Sequence, residues 1–333
     1  MEGIQMYPIS ATGISIYYNT GNQLMNRVEV MLKKMSPKFF LIVIYFFISL
    51  GNASAQKANL KVITYNIMDG FNFGKDTTRQ QKSSKWIKSK HPNVVALQEL
   101  CGYSDERLKT EALQWDHKFS VLLKNTGYSV GITADRPIKL IERRTEGMWH
   151  GMLHVEIDEI NFFVVHLSPD DYLIRRSESE IILAKVNNLI SNGQECVVLG
   201  DFNASSPFDD DLLKDKTLLL NANIAGDAKS DKYKHLANNY FDYSVISMFL
   251  STPMIDVCQK FVPANNRFSY SSPLLIPRYR KNLEEVAKKR ERLDYIMVSP
   301  KLALKCHFAN IINNSETDYL SDHYPLEAEF SFP

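Results

Sequence analysis

The stretch 197–204, with the sequence VVLGDFNA, constrains the fold more than any other part of this chain. Its three leading apolar residues have no polar break, which is typical of a strand buried on both faces. Gly200 lets the backbone turn, and the alternation of side chains along an extended chain places Asp201 and Asn203 on one side of it. The stretch therefore predicts either a carboxylate and an amide together at the mouth of a sheet, or an ordinary strand followed by a polar turn.

Five other apolar segments also end beside a polar side chain of a type used in catalysis. Their candidate residues are Asn66, Glu99, His166, Asp294, and Asp322 with His323. Each one alone has an ordinary structural explanation, such as a histidine satisfied in the core or a glutamate at the surface. Six such segments in a chain rich in buried strands predict one shared site where the strand ends meet.

The remaining patterns predict an α/β chain without internal repeats or linkers. Apolar residues at helical spacing predict a helix over Tyr172–Ser191, and a polar helix capped by Thr77 is expected over Thr77–Lys90. Basic and aromatic residues at 229–243 suit either nucleotide contact or a packed rim, and the charged stretch 278–292 is interpreted as a solvated helix or loop. Strands are expected over 60–66, 93–99, 119–123, 128–134, 138–143, 149–157, 161–167, 293–299 and 326–332.

Residues 31–55 have the three parts of a secretory signal peptide. A lysine-rich start precedes the apolar run 39–50, and an Ala-Ser-Ala cleavage site ends at Ala55. An uncleaved membrane anchor is the alternative, although the run is shorter than the roughly 20 residues that span a bilayer. We therefore expect a secreted or periplasmic protein after cleavage near Ala55.

Residues 1–30 are polar and aperiodic, which is out of place before a signal peptide. We interpret them as a disordered extension upstream of a true start at Met31 or Met35, and we expect the domain over 56–333. The first 55 residues carry four basic and two acidic side chains, so their removal changes the net charge from +1 to −1. A surface so close to neutral gives no bulk attraction for nucleic acid, and an anionic substrate has to be held locally.

The mature chain keeps four cysteines, at positions 101, 196, 258 and 306. Export permits disulfides, and four cysteines allow three complete pairings. Cys196 lies in the apolar strand before Asp201, where a buried free thiol is ordinary. The sequence contains no CxxC motif or Cys/His cluster that predicts zinc.

The segments around the candidate residues resemble the motifs of the endonuclease/exonuclease/phosphatase superfamily, and they occur in the family's order. They are Tyr65–Ile67, Ala96–Glu99, Val165–Leu167, Leu199–Asn203, Arg292–Ile296 and Ser321–Pro325. The resemblance spans about residues 60–332, nearly the whole mature chain. It implies a four-layered α/β sandwich, in which two mixed β-sheets lie face to face between flanking helices and the site lies at the top.

The resemblance also implies a metal-dependent phosphoester hydrolase. Glu99 would be the carboxylate ligand of Mg²⁺, or of Mn²⁺, because these ions prefer oxygen ligands. Asn66 and Asp322 would support or share this coordination. The metal would polarise a phosphoryl oxygen and stabilise the leaving oxygen.

Five further residues are expected to take catalytic roles. Asp201 would orient or deprotonate the attacking water, and Asn203 would donate to a non-bridging phosphate oxygen. His323, oriented by Asp294, would bind the scissile phosphate. His166 would be a second phosphate ligand or the acid for the leaving group.

The resemblance leaves the substrate open, because loops between strands select it. Nucleic acid or another phosphodiester is the first expectation, although the near-neutral charge argues against it. A phospholipid is the second, with 249–250 and 274–276 as candidate membrane loops, and a small-molecule phosphoester is the third. A non-catalytic binding protein on the same scaffold is the alternative from another class. We expect a monomer without a protein partner.

Overall fold

The computed structural model describes residues 59–332 of the protein. The predicted extension over 1–30 and the predicted signal peptide over 31–55 lie outside the described residues. Twelve strands run through the described part of the chain. In chain order they are β1 (Asn59–Asn66), β2 (Val94–Gln98), β3 (Phe119–Leu122), β4 (Gly131–Ala134), β5 (Lys139–Arg144), β6 (Met152–Ile157), β7 (Ile160–His166), β8 (Glu195–Asp201), β9 (Ile255–Asp256), β10 (Asp294–Val298), β11 (Cys306–Ile311) and β12 (Leu326–Ser331).

Ten helices connect the strands of the described residues. They are α1 (Met68–Phe73), α2 (Thr77–Lys90), α3 (Asp105–Ala112), α4 (Tyr172–Ser191), α5 (Asp210–Leu213), α6 (Thr217–Asp227), α7 (Ser244–Ser251), α8 (Val257–Phe261), α9 (Leu283–Lys288) and α10 (Pro300–Lys305). Short 3₁₀ helices lie at Leu113–Trp115, Pro207–Asp209, Ala264–Asn266 and Pro273–Leu275.

The strands form two six-stranded sheets of mixed direction. The first has the order β11-β12-β1-β2-β4-β3, and the second has the order β5-β6-β7-β8-β10-β9. Each sheet has one parallel pair at its centre, β1 with β2 and β7 with β8. Since parallel neighbours end at the same edge of a sheet, each pair brings two strand ends together.

The two sheets pack face to face over an apolar layer that both supply. Ala96 of the first sheet and Val164 and Leu199 of the second are fully buried in it. The outer face of the first sheet packs against α2 through Trp86, and the outer face of the second packs against α7 through Phe249. This arrangement of helix, sheet, sheet and helix confirms the predicted four-layered α/β sandwich.

The two predicted helices have the predicted bounds, but the predicted cap of α2 was wrong. The side chain of Asp76 accepts the backbone N–H of Arg79 at 2.9 Å, so Asp76 is the N-cap and Thr77 is the first helical residue. Asp and Thr both satisfy the free N–H groups at a helix start, and the sequence DTT offers either register.

Helix α1 is left-handed, and no sequence pattern predicted it. Its six residues have φ between 50 and 59°, a conformation that is costly for residues with a Cβ. Gly70 is required there, because a Cβ would come within 2.3 Å of the Cys101 carbonyl oxygen. The Arg79 guanidinium donates to the carbonyl oxygens of Ile67 at 2.7 Å and Met68 at 2.9 Å. These bonds hold the turn beside the ends of β1 and β2.

Two predicted strands are shorter than expected, and the difference matters for the site. The strands expected over 128–134 and 149–157 begin at Gly131 and Met152, so the residues before them form loops at the same edge as the ends of β1 and β7.

Phe249 and Leu275 of the candidate membrane loops are buried in the core. Among the described residues, no helix combines the length and the apolar character needed to cross a membrane.

All four cysteines are free and buried. Burial raises the pKa of the Cys101 and Cys196 thiols to about 12. The expectation of an ordinary buried thiol at Cys196 is therefore confirmed, and none of the three possible pairings is formed.

Candidate active site

The predicted site residues lie at the edge where the parallel strands end. Asn66 is the last residue of β1, and Glu99 directly follows β2. In the second sheet, His166 and Asp201 end β7 and β8 and are direct neighbours in the parallel register. Asp294 begins the antiparallel strand β10 and is paired with Asp201. The strand geometry alone therefore brings five polar side chains to one place.

The carboxylate of Asp201 lies where polar groups of the two sheets meet. Asn66 Nδ2 donates to Asp201 Oδ2 at 3.0 Å, and the Nε2 atoms of His166 and His323 lie 3.6 and 3.7 Å from the same oxygen. Asp201 Oδ1 accepts the backbone N–H of Asn203 at 2.9 Å. Burial raises the pKa of the Asp201 carboxyl, and the charge of His323 opposes this shift. A carboxylate whose pKa is raised by burial is suited to accept a proton.

His323 forms a close pair with Asp294. The distance from His323 Nδ1 to Asp294 Oδ2 is 2.8 Å. Burial lowers the pKa of His323, but the charges of Asp294 and Asp201 outweigh burial and hold this pKa well above its usual value. The imidazole is therefore a cation between two carboxylates, and it lines the cavity of the site.

His166 has the opposite electrostatic character. Its ring stacks on the ring of His150, with 4.3 Å between centroids and 27° between planes. Burial lowers the pKa of His166 to about 3, although Asp201 acts in the other direction. Within the described residues its Nδ1 has no hydrogen-bond partner. His166 is thus a neutral imidazole at neutral pH.

Glu99 is held in a strained backbone conformation beside Asp201, with φ of 60°. Its Oε1 accepts from Asn66 Nδ2 at 3.1 Å, and its Oε2 accepts the backbone N–H of Asp69, in the left-handed α1, at 2.7 Å. Burial and the charge of Asp322 raise the pKa of the Glu99 carboxyl to about 7. The carboxyl groups of Glu99 and Asp322 thus line one cavity, and their charges repel each other.

This pair of carboxyl groups fits a hard divalent cation. Oxygen ligands are the ones that Mg²⁺ prefers, and a cation would offset the repulsion that raises the Glu99 pKa. Asn66 faces the site with its amide nitrogen, which bridges Glu99 and Asp201, while its Oδ1 accepts the backbone N–H of Met68 at 3.1 Å. Asn66 thus joins Glu99 of the first sheet to the Asp201 carboxylate of the second.

A second group of potential metal ligands consists of Asp201, Asp294 and His323. Donor atoms of all three lie within 4.8 Å of one another. The charges of the two carboxylates favour the protonated form of His323, and an imidazolium has no lone pair to give to a metal. We therefore interpret this group as a histidine with its carboxylate partners, and the carboxyl groups of Glu99 and Asp322 are the other candidate ligands for a metal.

The backbone N–H of Asn203 donates to Asp201, and its side chain donates to the backbone next to strand β7 of the second sheet. Its Nδ2 donates to the carbonyl oxygen of Leu167 at 3.0 Å, and its φ is 48°. Asn203 and Asp322 line the same cavity as Glu99, His166, Asp201 and His323, whereas Asn66 and Asp294 contact it through their hydrogen bonds to Asp201 and His323. The structure thus brings together every site residue that the sequence predicted.

The cavity has a volume of about 670 Å³ and contains residues that the sequence did not predict. The loops before β4 and β6 supply aromatic side chains, and helix α6 and the stretch 278–292 supply other parts of the wall. These unpredicted lining residues include Tyr128, Trp149, His150, Tyr270, Arg280 and Glu291. Loops carry no periodic sequence pattern that would show which of their side chains face a cavity. The only signal for these residues was a mixture of charged and aromatic residues, and a solvent-exposed surface has the same composition.

Comparison with known proteins matches residues 63–323 to the family model described as the Endonuclease/Exonuclease/phosphatase family. The sequence has no match among curated proteins.

Three solved structures are similar to this chain. An AP endonuclease from Archaeoglobus fulgidus has 17% identity and a TM-score of 0.58, with 81% of this chain and 99% of that chain covered. A single-residue variant of the 3' phosphatase NExo from Neisseria, bound to product DNA hairpin, has 16% identity and a TM-score of 0.57 over 81% and 99% of the two chains. The 3'-5' exonuclease NExo from Neisseria meningitidis has 17% identity and a TM-score of 0.58 over 82% and 100%. At these identities the likeness shows a common fold.

Proposed function

The chain belongs to the endonuclease/exonuclease/phosphatase family, whose members are metal-dependent phosphoester hydrolases. We propose that it hydrolyses phosphodiesters and that its main substrate is nucleic acid. The observation that carries the proposal is the buried Asp201 carboxylate, which has a neutral imidazole on one side and an imidazolium on the other. The DNA product bound to one structure of the same fold supports nucleic acid as the substrate class.

In the proposed reaction Asp201 takes a proton from water as the water oxygen attacks phosphorus. The bond from phosphorus to the leaving oxygen then breaks, that oxygen takes a proton from solvent water, and Asp201 returns its proton to solvent. General base catalysis by a positioned side chain contributes about 10²- to 10⁴-fold to the rate. The hydrogen bond from Asn66 fixes the orientation of the Asp201 carboxylate for this step.

His323 is proposed to bind a non-bridging oxygen of the scissile phosphate through Nε2–H. Its positive charge complements the charge that develops on phosphate oxygens in the transition state. The low pKa of His166 favours phosphate contact over the role of a protonated leaving-group acid. Asn203 has one amide hydrogen beyond its bond to Leu167, and this hydrogen is proposed to support the same phosphate.

The proposed cofactor is Mg²⁺, held by Glu99 and Asp322 with Asn66 beside them, and Mn²⁺ is a possible substitute. When bound, such an ion supplies positive charge to a phosphoryl oxygen and to the leaving oxygen. The support for a cation at this place is that two carboxyl groups line one cavity there, where burial and their mutual repulsion raise the pKa of Glu99.

Turnover of three substrates by the purified protein, with Mg²⁺ and with chelator, tests the proposal. Plasmid DNA, sphingomyelin and bis-p-nitrophenyl phosphate represent nucleic acid, phospholipid and a simple diester. We expect cleavage of DNA and of the simple diester in Mg²⁺ and none with chelator. Cleavage of sphingomyelin alone would replace nucleic acid by phospholipid as the substrate class.

Asp201→Asn is the matched test of the site, and the exposed Asp105→Asn is its control. We expect the first variant to lose about 10²- to 10⁴-fold in turnover and the second to keep the wild-type rate. No turnover of any substrate in Mg²⁺ or Mn²⁺ would favour a binding protein on this scaffold.

We also propose that the protein is exported and acts as a monomer outside the cytoplasm. The support for export is the three-part pattern of residues 31–55. N-terminal sequencing of protein from the periplasmic and extracellular fractions is expected to give a chain that begins near Gln56. A cytoplasmic protein that retains residues 31–55 would contradict this proposal.

A further inference from the structure

One wall of the cavity carries an arginine whose charge the described protein does not neutralise directly. The Arg280 guanidinium lines the cavity and donates to two neutral oxygens, the Tyr279 carbonyl at 2.9 Å and the Tyr270 hydroxyl at 3.3 Å. Its Nε is buried, and within residues 59–332 it has no hydrogen-bond partner. A guanidinium offers five donors in a planar fork, so several remain for a ligand.

Other cations near this wall are used differently. Arg292 is fixed by Asp209 and Asp256, each at 2.7 Å, and it therefore supports the fold. Lys289 also lines the cavity, but its Nζ lies 3.0 Å from the carboxylate of Glu285. Arg280 is thus the cation of this wall that is best placed to receive an anion.

Tyr270 connects Arg280 to the proposed phosphate site. The Tyr270 ring lies 4.9 Å from the ring of His323, and its hydroxyl contacts the Arg280 guanidinium. The backbone of Tyr270 also forms a bridge with His323. The Arg280 guanidinium carbon lies 5.9 Å from the centroid of the Tyr270 ring, so Tyr270 neighbours both the guanidinium and the imidazole of His323. A ligand with one phosphate at His323 can therefore present a second phosphate to Arg280.

Acids near this wall oppose an anion, because the charge of Asp322 acts on the Tyr270 hydroxyl and both Glu285 and Glu291 are within reach of the Arg280 charge. Glu291 lines the same cavity, and its Oε2 is buried without a hydrogen-bond partner in the described chain. Its carboxyl is close enough to His323 and Arg280 for both charges to act on it. The attraction of a phosphate to Arg280 has to outweigh its repulsion by these carboxyl groups.

We propose that Arg280 and the Tyr270 hydroxyl form a second anion subsite, which binds a non-scissile phosphate of the substrate. The inference rests on the proposed function, because it assumes that the scissile phosphate lies at His323. It implies that preferred ligands carry two phosphate groups on one small carrier, such as a nucleoside bisphosphate or an inositol bisphosphate. Guanidinium groups bind phosphate with paired, charge-assisted hydrogen bonds, which gives such a subsite its selectivity.

Equilibrium binding without turnover tests this subsite separately from the proposed hydrolysis. Calorimetry with Ca²⁺ in place of Mg²⁺ compares thymidine 3',5'-bisphosphate with thymidine 5'-monophosphate, and inositol 1,4-bisphosphate with inositol 1-phosphate. We expect the bisphosphate of at least one pair to bind about tenfold more tightly than its monophosphate. The pair with the larger ratio identifies the carrier, nucleoside or inositol.

Arg280→Ala is expected to reduce this ratio to about one, and Arg280→Lys is expected to leave an intermediate ratio, because a lysine keeps the charge without the fork. The control is Arg278→Ala, which removes an exposed arginine two residues away and should keep the wild-type ratio. Equal affinities within both pairs for the wild type, or an undiminished ratio in both Arg280 variants, would overturn the subsite. Turnover of bis-p-nitrophenyl phosphate is measured in parallel, so that a failure of the proposed function is recognised separately.

Discussion

His323 Nδ1 lies 2.8 Å from Asp294 Oδ2, and this contact joins the loop before β12 of the first sheet to the start of β10 in the second. The imidazole owes both its orientation and its charge to this neighbour. Asp294 is 1% exposed, so water screens the interaction little. Asp294 therefore keeps the His323 imidazole, which lines the cavity, oriented and protonated.

Asp294→Asn is expected to lower turnover of bis-p-nitrophenyl phosphate by about 10²-fold or more, because the amide cannot hold His323 in its charged form. Steady-state kinetics measures the loss, and thermal melting checks that the variant is folded. The exposed Asp215→Asn serves as the control. A folded Asp294→Asn protein with the wild-type rate would show that the pair has no catalytic role.

Glu99→Gln is expected to raise the Mg²⁺ concentration for half-maximal turnover by at least about tenfold, because it removes a charged oxygen ligand. Calorimetric titration of Mg²⁺ into the protein provides a second measurement that does not depend on turnover. Glu106→Gln, on the exposed face of α3, is the control. An unchanged Mg²⁺ affinity in the Glu99 variant would show that the metal is bound by other residues.

Glu178 gives a prediction about stability and pH. Its carboxylate accepts the backbone N–H groups of Trp149 and Ser168, each at 2.8 Å, and burial raises its pKa to about 7. Since the unfolded value is about 4.3, the folded protein binds more protons between these values. The free energy of unfolding therefore falls as the pH rises through this window.

The Glu178→Gln variant has no ionisable group at this position and lacks one of the two acceptors. We expect it to be less stable than the wild type near pH 4.5, and this difference should shrink by on the order of 3 kcal/mol by pH 8. Urea unfolding at both pH values measures the change, with the exposed Glu180→Gln as control. A difference that is constant or grows with pH would contradict the assignment.

Substitution of alanine for two different glycines is expected to change the free energy of unfolding in opposite directions. A Cβ on Gly200 would lie 2.0 Å from the Val165 carbonyl oxygen, at a φ of 137°. Gly200→Ala should therefore cost about 3 kcal/mol or more, since backbone has to move in the central parallel pair. A Cβ on Gly226, in α6, would meet no atom within 4 Å, and Gly226→Ala should stabilise by about 0.5–1 kcal/mol. Denaturant unfolding measures both, and equal effects would refute the close approach at Gly200.

Much of the site followed from the sequence because it is built at the ends of strands. Asn66, His166 and Asp201 terminate apolar runs whose burial and direction the sequence pattern indicates. Once two parallel pairs occupy the sheet centres, these side chains have to meet at one edge. The same reasoning placed Glu99 at the tip of the strand expected over 93–99, and in the structure it directly follows β2.

The loop residues could not be predicted in this way. Trp149 and Tyr128 were assigned to strands, because aromatic residues next to an apolar run look like its continuation. Arg280 lies in a stretch with both charge signs, and a neutral mixture of charges gives no indication of which side chain faces a cavity. The left-handed α1 depends on contacts of Arg79 and Gly70 with distant backbone, which local propensity does not contain.

The hydrogen bond between Asn66 and Asp201 crosses from one sheet to the other. A slide of one sheet over the other by about an ångström would break it while both ladders of strands stay intact. Alignment of the reacting groups is therefore governed by the apolar layer between the sheets. Side chains such as Val164 and Leu199, which never meet the substrate, keep water, base and phosphate in line through the shape of that layer.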